Sequence, residues 1–109
     1  MTGNTLLEAA ASLMGFEMVT EEIQKIGPTV INFVLDDLGQ SAPLSLHEEF
    51  SLSEKVLSAA EVGIAMLLSV ALGDLRSKEC FSAIYNEKRG KIKGSKTKVL
   101  DSLPKGEFL

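Results

Sequence analysis

The segment from Val62 to Leu72, VGIAMLLSVAL, has only Gly63 and Ser69 to interrupt its apolar side chains. Wound as a helix it is apolar nearly all round, and such a helix has to be surrounded by protein, at the centre of a bundle or in a subunit interface. Its 11 residues fall well short of the roughly 20 needed to cross a bilayer, so protein rather than lipid is the expected surround. Ser53 is the natural N-cap, and the spacing predicts a helix over 54–72 that Gly73 closes.

The other helices follow from their punctuation. Asn4 or Thr5 can cap a first helix over about 5–14, with Leu6, Leu7, Ala10, Leu13 and Met14 at helical spacing and Gly15 at its end. Thr20 can cap a second, with Glu21 and Glu22 at the positive end of its dipole. Gly27-Pro28 falls in its middle. Proline lacks the amide donor and clashes with the carbonyl four residues back, so a kink or break is expected there, with Pro28 to Leu38 as the second part and Gly39 as its stop. Val30, Ile31, Phe33, Val34, Leu35 and Leu38 form its apolar stripe, and Asn32, Asp36 and Asp37 lie mostly off it. Residues 40–52, with Pro43 and an alternating pattern, predict an ordered loop with some extended backbone and no sheet. Asp74 caps a fourth helix whose expected apolar face is Leu75, Phe81, Ile84 and Tyr85. The short Gly73-Asp74 turn predicts antiparallel packing of the third and fourth helices.

From Gly90 the amphipathic pattern fades into GKIKGSKTKVLDSLPKGEFL. The fold class expected is therefore all-α: a bundle of about four helices over residues 1–89, followed by a basic arm, extended or disordered, over 90–109. At 109 residues there is room for one core and no second domain. The net charge of -4 hides a division: residues 1–87 carry 4 basic and 13 acidic side chains, and residues 88–109 carry 7 basic and 2 acidic. An acidic body bears a basic tail.

The inventory for chemistry is thin. His47, the sole histidine, stands beside Glu48 and Glu49 in a polar loop and reads as a solvated group. Asp36-Asp37 and Glu48-Glu49 are adjacent pairs; on a helix neighbours diverge by about 100° and cannot flank one bond. Cys80 is the only cysteine, which excludes an intrachain disulfide and a thiolate zinc site. With no histidine to activate it, it reads as a small buried hydrophobe on the inner side of the fourth helix. No phosphate-binding glycine motif occurs, and no cofactor or metal is expected. The N-terminal stretch lacks a basic region and carries Glu8 within its apolar run, so a secretory signal is not expected. An enzyme is the least expected class.

The basic tail is the remaining candidate. Lys88, Arg89, Lys91, Lys93, Lys96 and Lys98 fall within eleven residues and could follow a phosphate backbone or dock on an acidic protein surface. Solubility of a frayed terminus is the plain alternative. Ile92, Val99, Leu103 and Phe108 are interspersed with the lysines, and a segment too short to bury them alone points to a partner surface. Together with Ile64, Leu67 and Leu68 of the apolar helix, these residues make the expected oligomer or partner interface. Base stacking lacks an aromatic platform, and no polar recognition helix follows a short turn.

The order of these features resembles the small head-to-tail connector proteins, adaptor or head-completion proteins, of long-tailed bacteriophages and prophages. The resemblance rests on LLEAAASLMGF, INFVLDDL, LSLHEEFSLSEKV, VGIAMLLSVALGD and CFSAIYNEKRGKI, and spans about residues 5–92. It departs from the family at Gly27-Pro28, where a more regular helix is expected. The resemblance implies a homo-oligomeric ring that docks on the portal protein and meets a tail-side completion protein. DNA would pass through its channel without sequence-specific binding. It also implies a place in the cytoplasm of a bacterial host during assembly and in the virion neck afterwards, and it carries no catalytic residues. The alternative from the residues alone is a small nucleic-acid-binding or regulatory module acting through the basic tail.

Overall fold

A computed structural model describes the backbone of residues 1–43 and 45–101, and side chains up to Lys93 apart from that of Leu44. Among the described residues there are four helices: α1 (Gly3–Leu13), α2 (Glu21–Asp37), α3 (Glu54–Ala71) and α4 (Leu75–Asp101). Helix α3 packs against all three others, and Ile64, Ala65 and Leu68 on it are fully buried. The apolar segment is thus the centre of the bundle.

Local signals set most boundaries. Thr20 and Ser53 accept hydrogen bonds from the amides of Ile23 and Val56, and Asp74 accepts from that of Ser77, so the three expected caps are in place. Gly15, Gly39 and Gly73 adopt positive φ. Each ends its helix in a Schellman motif, for example with Gln40 N–H on the Leu35 carbonyl at 2.8 Å and Asp74 N–H on that of Ser69 at 2.8 Å.

Helix α1 starts earlier than expected, capped by Thr2 rather than Asn4 or Thr5. Thr2 and Thr5 exchange side-chain-to-backbone hydrogen bonds in a capping box, and the Asn4 amide finds the Leu46 carbonyl at 3.1 Å. Thr2 also forms an isolated bridge with Glu49, so the 40–52 loop is extended at that point, as its alternation predicts. Leu46, Phe50 and Leu52 pack on the core.

Helix α2 runs unbroken through Pro28, so of the expected kink or break the break is excluded. Pro28 and Gln24 are both exposed, so the Gln24 carbonyl that loses its partner faces water, and the cost of the missing bond falls. Gly27 has a packing role instead: a Cβ there would collide with Leu7 of α1.

Helices α3 and α4 are antiparallel. Ser82 donates to the sulfur of Met66 at 3.2 Å and Tyr85 lies against Gly63, so partners advance on one helix as they recede on the other. The same register sets buried Ile92 opposite buried Val56. Gly90 does not stop α4. It lies outside the positive-φ glycines, the helix passes through it, and Ile92 is 7 % exposed, so the expected start of the arm at residue 90 is corrected: residues 90–93 are helical, with Ile92 buried and Gly90 and Lys91 exposed. The apolar face of α4 also shifts. Leu75 and Ile84 are exposed, and the inward residues are Phe81, Tyr85 and Ile92. Among the described residues no helix is long and apolar enough to cross a membrane.

Candidate functional site

The polar feature that joins α2 to α4 is built on Asp37, in the last turn of α2. Tyr85 and Arg89 are one turn apart on α4 and converge on its carboxylate. Tyr85 Oη donates to Asp37 Oδ2 at 2.6 Å, Arg89 Nε to the same oxygen at 2.6 Å, and Arg89 Nη2 to Oδ1 at 3.1 Å. A bidentate guanidinium–carboxylate pair is among the stronger polar contacts available to a protein. The Arg89 hydrogen bonds hold the Asp37 carboxyl below its ordinary range; partial burial opposes them, and the Tyr85 hydroxyl adds to the lowering. Burial, first, and the neighbouring carboxylate push the Tyr85 hydroxyl well above its usual value.

Beside this cluster lies a cleft of about 230 Å³, lined by Phe33, Val34, Met66, Leu67 and Asn86 as well as the three polar residues. Phe33, expected in the buried stripe of α2, is 68 % exposed; at the edge of the stripe it turns to the rim of the cleft. The arrangement offers a neutral hydroxyl, a committed ion pair and apolar walls. It fastens α4 to α2.

The sequence-predicted interface residues divide accordingly. Ile64 and Leu68 are fully buried in the protomer's own core, so they are corrected from partner contacts to core residues; on the same helix Val70 remains 47 % exposed. Leu67 is half-buried and lines the cleft. Arg89 is spent on Asp37 and is likewise corrected as a free charge of the tail. Lys88 and Lys93 are half-buried and Lys91 is exposed. The backbone at Lys96, Lys98 and Val99 belongs to α4, their side chains lying outside the described residues, as do Leu103 and Phe108 altogether.

Cys80 is exposed rather than buried, because the inward face of α4 runs through Phe81 and Tyr85 instead. His47 is exposed, its Nδ1 3.3 Å from the Asn4 side-chain amide. No group of three His, Cys, Asp or Glu side chains among the described residues is placed to hold a metal ion. Asp37, read as part of a solvated pair, is the site residue the sequence reading missed. Its signal was its position one turn after Val34, on the edge of the apolar stripe. Comparison with protein-family models, with curated proteins and with solved structures finds no match for this chain.

Proposed function

We propose that this chain is a structural assembly protein, a ring-forming head-to-tail connector of a long-tailed phage or prophage that docks on the portal and extends the DNA channel toward the tail. The observation that carries the reading is the division of the chain between an acidic helical body and the lysine-bearing end of α4. At 1.5 Å per residue, the 27 residues of α4 span about 40 Å against about 27 Å for α3. The register opposes the first residue of α3 to residue 94, so α4 from there on has no partner on α3. A small bundle whose last helix carries lysines beyond the first residue of α3, on an otherwise acidic body, is suited to joining copies of itself. An acidic wall also lets DNA slide where a basic one would hold it. The resemblance carried by LLEAAASLMGF, INFVLDDL and VGIAMLLSVALGD supports this reading.

Sedimentation and negative-stain imaging at high protein concentration, with and without portal protein, test it. Rings, alone or on the portal, are expected; monomers that never bind the portal overturn it. The lysines at the end of α4 favour one second reading, a nucleic-acid-binding module. In that case truncation after Arg89 abolishes a DNA affinity that falls steeply with salt.

A further inference from the structure

The corner between α1 and α2 groups three exposed large hydrophobic side chains close together in the chain. Leu13 is 48 % exposed, Phe16 38 % and Met18 72 %, all within six residues. Phe16 and Met18 line one depression together with Glu8 and Glu17, and Glu21 and Glu22 follow at the start of α2. No lysine or arginine precedes Lys25 in the chain. Grouped exposed apolar side chains mark a surface that meets a partner, and their carboxylate surround requires that partner to be basic as well as apolar.

The chain itself contains one segment of that chemistry: the end of α4, where Lys96, Lys98 and Val99 follow one another beyond the first residue of α3. Its own corner is at the wrong end of the molecule. Val34 and Tyr85 both lie against Gly63, and Asp37, one turn further along α2, reaches both Tyr85 and Arg89. Helices α2 and α4 therefore advance in the same direction. The corner precedes α2, about 24 Å of helix before Asp37, whereas α4 continues about 18 Å past Arg89.

We propose that the α1–α2 corner, centred on Phe16, Glu17 and Met18, receives the lysine-rich end of α4 from a second copy of the chain. This rests on the self-assembling reading above and gives it a head-to-tail contact. Two different surfaces meet, so the assembly closes into a ring where the rotation allows and runs on as a filament where it does not.

Sedimentation velocity of the full chain across a concentration series, at low and high salt, tests the contact. Three variants are compared with the wild type: Glu17→Lys, Met18→Asp, and Lys96→Glu with Lys98→Glu. Circular dichroism confirms that each remains helical. Wild-type association that weakens with salt is expected, with at least about a tenfold loss of affinity in each variant and partial recovery when Glu17→Lys is combined with Lys96→Glu. Association unchanged by Glu17→Lys and Met18→Asp overturns this contact and leaves the assembly reading standing. Loss in the lysine variant alone does the same, since it assigns the lysines to another surface. A wild-type chain that is monomeric at every concentration and salt also overturns it, and rings formed on portal protein would then still uphold the reading on which it rests.

Discussion

Arg89 on α4 grips Asp37 on α2 through two hydrogen bonds of 2.6 and 3.1 Å. These residues are 52 positions apart in the chain, and the contact ties the lysine-bearing helix α4 to α2. Both side chains are about one third exposed, so solvent tempers their attraction. Tyr85 is 5 % exposed, so its hydroxyl adds to the same carboxylate oxygen a contact that solvent screens less.

Replacing Asp37 with Ala removes the acceptor of three hydrogen bonds and leaves the hydroxyl of buried Tyr85 unsatisfied. The expected loss is about 1–3 kcal/mol in urea unfolding. Tyr85→Phe alone should cost about 1 kcal/mol, and the double variant should lose less than the sum because the two groups share one bond. Strict additivity would show that the hydroxyl and the carboxylate do not interact in solution.

The pH dependence has two limbs. Asp37 has a depressed pKa in the folded chain, so its contribution is complete above the unfolded carboxylate pKa near 3.9 and is lost as pH falls through the lower folded value. Asp74, lowered by its hydrogen bonds from Ser77, acts in the same direction. Tyr85 is raised, so its contribution is complete below about pH 10 and declines above that, as the unfolded chain ionises first. Unfolding free energy followed from pH 2 to 12 should therefore fall at both ends; Tyr85→Phe should flatten the alkaline limb and, because its hydroxyl helps to lower Asp37, reduce the acid limb in part.

Ile64→Ala and Phe33→Ser separate core from surface. Ile64 is fully buried beneath the other helices, and its truncation should cost about 2–5 kcal/mol. Phe33 is largely exposed, so its replacement should change stability by no more than about 0.5 kcal/mol. Thermal unfolding of the two variants reads this directly. Equal losses would show that Phe33 is covered in solution.

Local chemistry was legible in the sequence and tertiary choice was not. The caps Thr20, Ser53 and Asp74 and the stops Gly15, Gly39 and Gly73 each act within a few residues of chain, which is why they could be read. Pro28 was misread because its cost depends on whether the Gln24 carbonyl meets water, a property of the packed molecule. Gly90 was misread because a glycine ends a helix only where it turns to positive φ, and packing of Ile92 keeps it helical. The phase of α4 could not be fixed from a few apolar residues, so Leu75 and Ile84 were assigned inward and Cys80 with them. Asp37 joins Arg89 across half the chain, and no local pattern announces that. The division of charge was plain from the start, but that one helix carries the lysines past the end of α3 required the register of α3 on α4.

Three helical glycines give opposite expectations for one substitution, to alanine. A Cβ at Gly63 would lie 2.7 Å from the Tyr85 ring and 3.0 Å from Val34, both held in the core. One at Gly27 would meet the Leu7 methyl groups. Alanine favours a helix over glycine by about 1 kcal/mol, but overpacking costs about 1–3 kcal/mol. Gly63→Ala should therefore be destabilising, because a ring wedged between helices cannot step aside. Gly27→Ala should be milder, since a leucine can change rotamer. At Gly90 a Cβ meets nothing within 4 Å, so Gly90→Ala should stabilise by about 0.5–1 kcal/mol and raise the helical signal in circular dichroism. That gain requires α4 to be continuous at residue 90; a neutral or destabilising Gly90→Ala would restore the helix end that the sequence alone suggested.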